Sequence, residues 1–239
     1  MTIEILFDEV CGLYGDAQNA AYLQATVPDA AVIHTPLTAE PYFAKQTPDL
    51  IYIGSMPEQI QRRVIEKLMP LKARLAELVE QGIPILATGN AGEIFAKSID
   101  YVTEEIHTDA LGFFDLTVKT NPFDRYNGKV LGDCAGIPIV GFRSQFSFLY
   151  GDNSDCYFAR CIRGDGINRE SKLEGMRKNN LMCTQILGPI LPLNPLFCEY
   201  LLKLCGVEAK AAYREAAMDA YEQRLKEFQD PKVVFGHNI

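Results

Sequence analysis

The first half of the chain alternates short apolar segments with longer segments that have the spacing of amphipathic helices. The apolar segments predict strands at residues 3–7, 31–34, 50–53 and 83–87. From Ile60 to Leu78, apolar residues recur every three or four positions, and Pro70 is expected to break or kink that helix. Strands that alternate with helices pair as parallel neighbours. The pattern therefore predicts an α/β fold with a mostly parallel central sheet and helices on both faces.

The second half is richer in predicted strands, separated by Gly, Asn, Asp and Pro. These strands are expected at residues 114–119, 130–134, 137–142, 157–162 and 181–186. A helix is predicted after Pro195, and a last amphipathic helix from about residue 208 to 228, with an apolar stripe that includes Tyr221 and Phe228. No long linker divides the chain. We therefore expect one domain over residues 1–205, with residues 206–239 forming a helix and tail packed on it.

Composition narrows the class of protein. The 239 residues carry a net charge of −8, which argues against a nucleic-acid surface. No apolar run approaches the roughly 18 residues of a membrane span, and the N-terminus lacks a basic region, so a cytoplasmic protein without membrane contact is expected. The seven cysteines are scattered without a Cys-x-x-Cys pair and predict reduced thiols. Neither a metal nor a cofactor is predicted.

The segment from residue 82 to 99 resembles a nucleophile elbow without its nucleophile. The predicted strand 83–87 leads into a Gly-rich turn at residues 88–92, and residues 93–96 can start a helix. This geometry lifts a nucleophile above the end of a parallel sheet, yet the turn contains neither Cys nor Ser. Its backbone N–H groups, at a helix N-terminus, could bind an anion or a carboxylate; the alternative is a turn that only packs against the rest of the fold.

Short motifs elsewhere in the chain support a specific comparison. They are residues 13–19 (LYGDAQN), 49–54 (DLIYIG), 111–117 (LGFFDLT), 164–168 (GDGIN), 174–175 (EG) and 188–195 (GPILPLNP). In this order they resemble motifs of the cobyric acid synthase-like class I glutamine amidotransferases. The resemblance implies a flavodoxin-like three-layer fold over residues 1–205. It also implies a Gly-rich oxyanion loop that begins at Gly54.

Enzymes of that family attack the glutamine amide with a Cys thiolate that a His activates. Ungapped comparison places Gly89 at the Cys position, and a shift of one residue would place Asn90 there. The His position is Leu187, and Gln145 replaces a second His in the segment GFRSQFS at residues 141–147. Because neither Gly89 nor Leu187 can perform its step, the resemblance predicts a catalytically inactive, non-catalytic binding or partner subunit.

An active enzyme stays open as the alternative to this prediction. An active amidotransferase could supply ammonia to an ATP-dependent ligase, for cell-wall precursor or cobalamin-type amidation, through unrecognised residues; Cys183 is the candidate substitute nucleophile. In the resembled family the glutaminase works beside a Mur-type ligase, so such a partner is expected. A small-molecule ligand is also expected. The candidate ligand-binding residues are Gly54, Gly89, Asn90, Gly92, Glu93, Gln145 and Arg143. Arg143 could contact an acidic ligand; the alternative is an exposed side chain that is only solvated.

Overall fold

The computed structural model describes residues 1–238 and contains fifteen strands and six α-helices. The strands are β1 Thr2–Leu6, β2 Ala31–Thr35, β3 Leu50–Ile53, β4 Ile85–Thr88, β5 Ser98–Tyr101, β6 Ile106–Asp109, β7 Thr117–Thr120, β8 Tyr126–Cys134, β9 Ile137–Gln145, β10 Ser147–Tyr150, β11 Ala159–Arg163, β12 Leu173–Glu174, β13 Met176–Lys178, β14 Leu181–Thr184 and β15 Gly236–Asn238. The α-helices are α1 Ala17–Thr26, α2 Glu58–Leu68, α3 Lys72–Glu80, α4 Ile190–Leu193, α5 Pro195–Leu204 and α6 Arg214–Gln229.

The central sheet has six strands in the order β13-β14-β4-β3-β1-β2. The contacts between β14, β4, β3, β1 and β2 are all parallel, and only β13 runs antiparallel to its neighbour. The carboxyl ends of β3, β4 and β14 therefore meet at one edge of the sheet. The prediction of an α/β fold with a mostly parallel central sheet is confirmed.

Helices and smaller sheets cover both faces of the central sheet. On one face, Ile51 and Ile53 pack with Val64 of α2, Leu75 of α3 and Val118 of the β10-β7-β5-β6 sheet. On the other face, Ile5 and Tyr52 pack with Leu23 of α1, Val130 of β8 and Phe197 of α5. The predicted break at Pro70 is confirmed, since a 3-10 turn over Met69–Leu71 separates α2 from α3.

The expected helix from Glu93 is wrong in type. After β4, residues Gly89–Phe95 form a 3-10 helix, and Ala96 is extended (ψ 177°). The Lys97 N–H then donates to the Leu116 carbonyl oxygen (2.9 Å), which leads the chain into β5. This segment is therefore strand, tight turn and strand, because pairing with the neighbouring sheet replaces helical hydrogen bonds.

The last helix begins later than predicted, at Arg214 rather than near residue 208. The Ala211 and Ala212 N–H groups donate to Glu199 Oε1 and Thr26 Oγ1, each at 3.1 Å, so they are held by side chains instead. Tyr213 then adopts a left-handed conformation (φ 51°). Tyr221 and Phe228 lie on the buried face of α6, as the apolar stripe predicts. Strands β5, β6, β10, β12, β13 and β15 were not predicted.

Candidate ligand site at the carboxyl ends of the central strands

Gly89 lies at the turn directly after β4, with a φ of +60° that favours glycine over other residues. A Cβ atom built on Gly89 would lie 3.2 Å from Leu187 Cδ2. The Leu187 backbone is fixed by hydrogen bonds in both directions with Phe142 of β9, at 2.7 and 3.0 Å. The two positions that the resemblance assigns to nucleophile and base are therefore neighbours. Position 89 has no side chain, and position 187 presents only hydrocarbon.

Ser55 fills the space above Gly89. The same Cβ built on Gly89 would lie only 2.6 Å from Ser55 Cβ and 3.5 Å from Ser55 Cα, closer in the first case than real side chains approach. Ser55 cannot easily move away, because its Oγ donates to the Leu13 carbonyl oxygen (2.9 Å) and its carbonyl oxygen accepts from the Leu13 N–H (3.1 Å). The site has no room for a larger residue at position 89.

The loop after β3 has two backbone N–H groups that already donate to side chains. The Ser55 N–H donates to Asp16 Oδ2 (2.9 Å), and the Met56 N–H donates to Asn90 Oδ1 (2.9 Å). Asn90 Nδ2 in turn donates to the Met56 carbonyl oxygen (2.6 Å), so the amide pins this loop to the turn after β4. Neither N–H group is free to stabilise an oxyanion.

Glu93 lies fully buried beneath this turn. Its carboxyl group accepts hydrogen bonds from Gln61 Nε2 (2.9 Å), Gln185 Nε2 (2.6 Å) and the Ser147 hydroxyl. Burial raises the pKa of Glu93, and the three hydrogen bonds oppose that shift. Tyr101 Oη completes the group by donating to Gln61 Oε1 (2.8 Å). The Glu93 carboxyl therefore joins α2, β10 and the segment after β14.

Cys183 is buried in β14, behind the turn. A Cβ atom on Gly92 would lie 3.0 Å from Cys183 Cβ, so the glycine allows the turn to pack tightly on this strand. Burial raises the pKa of the Cys183 thiol well above its usual value, and nearby Glu174 raises it further. A thiol held in the protonated form is a poor nucleophile.

Arg143 contradicts its expected exposure, because its side chain is buried. Its Nε donates to Gln145 Oε1 (2.9 Å), and Nη1 donates to the carbonyl oxygens of Asp165 (2.7 Å) and Gly166. The expectation of a surface arginine is wrong because Arg143 belongs to a long strand, β9, and its side chain lies on the buried side of that strand. Arg143 is absent from the described lining of the cavity.

The cavity next to Gly89 has a volume of about 230 Å³. Of the predicted ligand-binding residues, Gly89, Asn90 and Gln145 line it, together with Leu187. Gly92 and Glu93 lie one layer deeper, beside a small void that Cys183 also lines. Gly54 is outside the lining; a Cβ there would lie 2.6 Å from the Cys11 carbonyl oxygen, so its role is to let the loop pass.

Sequence reasoning missed Ser55, Asp16 and Glu58 as parts of this site. Ser55 directly follows Gly54, where the resemblance implies a Gly-rich loop. A serine at this position differs from that glycine-rich pattern, and this difference was a signal in the sequence. Asp16 lies within a matched motif, but its bonds to Ser55 N–H and Thr88 Oγ1 (2.8 Å) join distant segments. Glu58 lines the cavity only because α2 begins there.

The described residues contain neither a membrane-spanning helix nor a cluster of metal-binding side chains. Over residues 1–238, no helix is both long and apolar enough to cross a membrane. In the same part of the chain, the His, Cys, Asp and Glu side chains form no group of three or more that could hold a metal ion.

Comparison with solved structures identifies the fold. A glutamine amidotransferase crystal structure matches 86% of this chain and 99% of its own, with a TM-score of 0.55 and 13% sequence identity. A second glutamine amidotransferase, from Thermotoga maritima, matches 98% of this chain with a TM-score of 0.45 and 10% identity. No family model matches the sequence. The chain therefore has a class I glutamine amidotransferase-like fold.

Sequence comparison adds a particular relative. The chain is 30% identical over 158 residues to the GatD subunit of the glutamine-hydrolysing lipid II isoglutaminyl synthase of Staphylococcus aureus (strain N315). The match covers 65% of this chain and 63% of that relative. The chain is thus similar in sequence to GatD over 65% of its length, in agreement with the ordered motifs.

Proposed function

We propose that this protein is a non-catalytic subunit of the amidotransferase fold, which binds a small ligand or a partner at the cavity beside Gly89. The observation that carries the proposal is the proximity of Gly89 to Leu187, whose Cδ2 would lie 3.2 Å from a Cβ atom at position 89, at the sheet edge where strands β4 and β14 end. A class I glutaminase needs a nucleophile and a base at such a pair of positions. Glycine and leucine supply neither.

Two further features support this proposal. The N–H groups of Ser55 and Met56 are held by Asp16 and Asn90, so an oxyanion would find them already used. The substitute nucleophile Cys183 is buried, with the pKa of its thiol well above the usual range. The active alternative through Cys183 would therefore need both a thiolate and access for glutamine.

Ammonia release from glutamine tests the proposal. We expect the purified protein to release no ammonia above background, with or without ATP, because losing such a pair removes several orders of magnitude in rate. Coupled glutamate dehydrogenase detection gives the measurement. Turnover by the unmodified protein that Cys183→Ala abolishes, and that the control Cys156→Ala leaves intact, would establish the active alternative.

Restoration variants sharpen the same test. Gly89→Cys alone should stay inactive, since the new side chain meets Ser55 and lacks a base. Adding Leu187→His supplies the base but keeps the steric conflict. Only the triple variant with Ser55→Gly has both groups and the space for them, and we expect turnover there first.

We also propose a partner, an ATP-dependent ligase of the Mur type. The support is the similarity to GatD, which its name describes as a subunit of a synthase. The chain spans 63% of that relative's length, so the proposal concerns the shared part of the two proteins. For the partner ligase, this similarity favours a cell-wall precursor as substrate over a cobalamin precursor.

A further inference from the structure

We propose that the cavity beside Gly89 binds a small organic cation, a ligand with an ammonium group and a short apolar body. The inference rests on the proposed function, because it treats the cavity as a binding site rather than a hydrolytic one. It also replaces the expected acidic ligand, for which the cavity is unsuited.

The hydrogen-bond donors around the cavity are largely committed to protein oxygens. The side-chain amides of Asn90 and Gln145 donate to the carbonyl oxygens of Met56 and Ser147, both at 2.6 Å. The amide of Gln185 donates to Glu93 (2.6 Å), and the Ser55 hydroxyl donates to the Leu13 carbonyl oxygen (2.9 Å). A ligand that needs donors from these groups would have to break existing bonds.

The charge of the lining favours a cation. Glu58, the first residue of α2, is partly exposed and lines the cavity. Among the described lining residues there is no lysine, arginine or histidine. The cation one turn along the helix, Arg62, pairs with Glu104 instead (2.6 Å). The Glu58 carboxylate is therefore left for a ligand to neutralise.

The remaining walls suit an apolar body next to that charge. Met56, Phe146 and Leu187 contribute hydrocarbon surface. Tyr14 contributes an aromatic ring at the mouth, on a backbone held at a left-handed φ of 56° that non-glycine residues rarely adopt. An aromatic face attracts an ammonium group. With about 230 Å³ of space, the cavity limits the ligand to a small molecule.

The same features disfavour a free amino acid. Its carboxylate would meet Glu58 without a compensating cation, since Arg143 is buried and donates to backbone carbonyl oxygens behind β9. The cavity thus discriminates by charge between ligands of one size.

Three probes of matched size test the inference: butylammonium, butanol and butyrate. We expect saturable binding of butylammonium, followed by NMR of 15N-labelled protein, with shifts at Gly89 and Tyr14. Its affinity should exceed that of butyrate by about tenfold, because attraction to one carboxylate becomes repulsion. Equal or tighter binding of butyrate, or no saturable binding of butylammonium, would overturn the inference.

Charge-neutral variants locate the site. Glu58→Gln should weaken butylammonium binding by about fivefold and leave butanol unchanged. Glu66→Gln is the matched control, because it removes the same charge from an exposed position on the same helix. Tyr14→Leu keeps an apolar wall without the ring and should also weaken butylammonium selectively. Equal effects of the Glu58 and Glu66 variants would contradict the site.

The outcomes separate this inference from the proposed function. Ammonia release would refute the non-catalytic role whatever the probes bind. An inactive protein that prefers butyrate would keep that role and refute only the cation.

Discussion

At the scale of single residues, three carboxyl groups in and around the site are buried away from solvent. Asp16, Glu93 and Glu174 are buried carboxyl groups, and burial raises the pKa of each. Each is surrounded by donors rather than by a cation in hydrogen-bond contact; Glu174, for example, accepts from Thr184 Oγ1 (2.9 Å) and the Gln185 N–H (2.7 Å). Such groups hold segments in register at the expense of stability when ionised.

Glu93→Gln tests this arrangement. The new amide would face the Gln61 amide as donor against donor, so we expect a loss of ~1–3 kcal/mol in the free energy of unfolding. The pKa of Glu93 is raised in the folded state, so its contribution is fully present below the unfolded value of 4.5 and is lost as pH rises through the folded value. The loss should therefore be larger at pH 4.5 than at pH 7.5, as urea unfolding at both pH values would measure. An equal loss at both would contradict the raised pKa.

At the scale of elements, the predictable parts were those with a repeating apolar pattern. The parallel strands and the helices on either side of Pro70 follow from such patterns. Strand β6 (Ile106–Asp109) was missed because three of its four residues are exposed, which leaves no apolar alternation to detect. The resemblance predicts Gln145 and Asn90 as site residues, and both line the cavity. Their hydrogen bonds could not be predicted, because they depend on which strand ends the fold brings together.

The C-terminal segment is held by one side chain of β11. Arg163 Nη1 donates to the carbonyl oxygens of Phe228 (2.7 Å) and Asp230 (2.6 Å), and Nη2 donates to that of Val233 (2.6 Å). Its guanidinium carbon also lies 4.1 Å from the centre of the Phe235 ring. The Arg163 guanidinium therefore satisfies three backbone carbonyl oxygens at the end of α6 and in the segment after it.

Arg163→Ala should lower the free energy of unfolding by ~1.5–3 kcal/mol, since charge-assisted hydrogen bonds to three carbonyl oxygens are lost together. Arg160→Ala removes an exposed arginine from the same strand and is the matched control. Denaturant unfolding measures both variants. Similar small losses would show that the segment does not depend on Arg163.

At the scale of the whole molecule, the fold and the general place of the site were within reach of the sequence, because the motifs are ordered along the chain. The steric conflict between Ser55 and a side chain at position 89 could not be predicted from the sequence. These residues are far apart along the chain and approach each other only where β3 and β4 end side by side. The extent of residues 1–205 as a domain, with residues 206–239 packed on it, stays a prediction. Contacts of Tyr221 and Phe228 with Leu131 and Val140 are consistent with it.

The proposed partner ligase predicts a complex larger than the single chain. Native protein purified from its own cells should elute above the size expected for a 26.7 kDa chain, together with a Mur-type ligase identified by mass spectrometry. ATP binding by the co-purified fraction, absent from the isolated chain, provides the control. A monomer that elutes alone at low salt and at high salt would contradict the partner.

The close approach of positions 55 and 89 also dictates an order in which this sequence can change. A side chain at position 89 would place its Cβ 2.6 Å from Ser55 Cβ, so the two positions cannot both carry one without a shift of the loop. A random change to cysteine at position 89 is therefore penalised before any gain in chemistry can be selected. Glycine at position 55 must come first, although that step confers no activity by itself. The serine therefore gives any path to a nucleophile at position 89 a neutral or costly first step, which makes glycine at that position resistant to replacement.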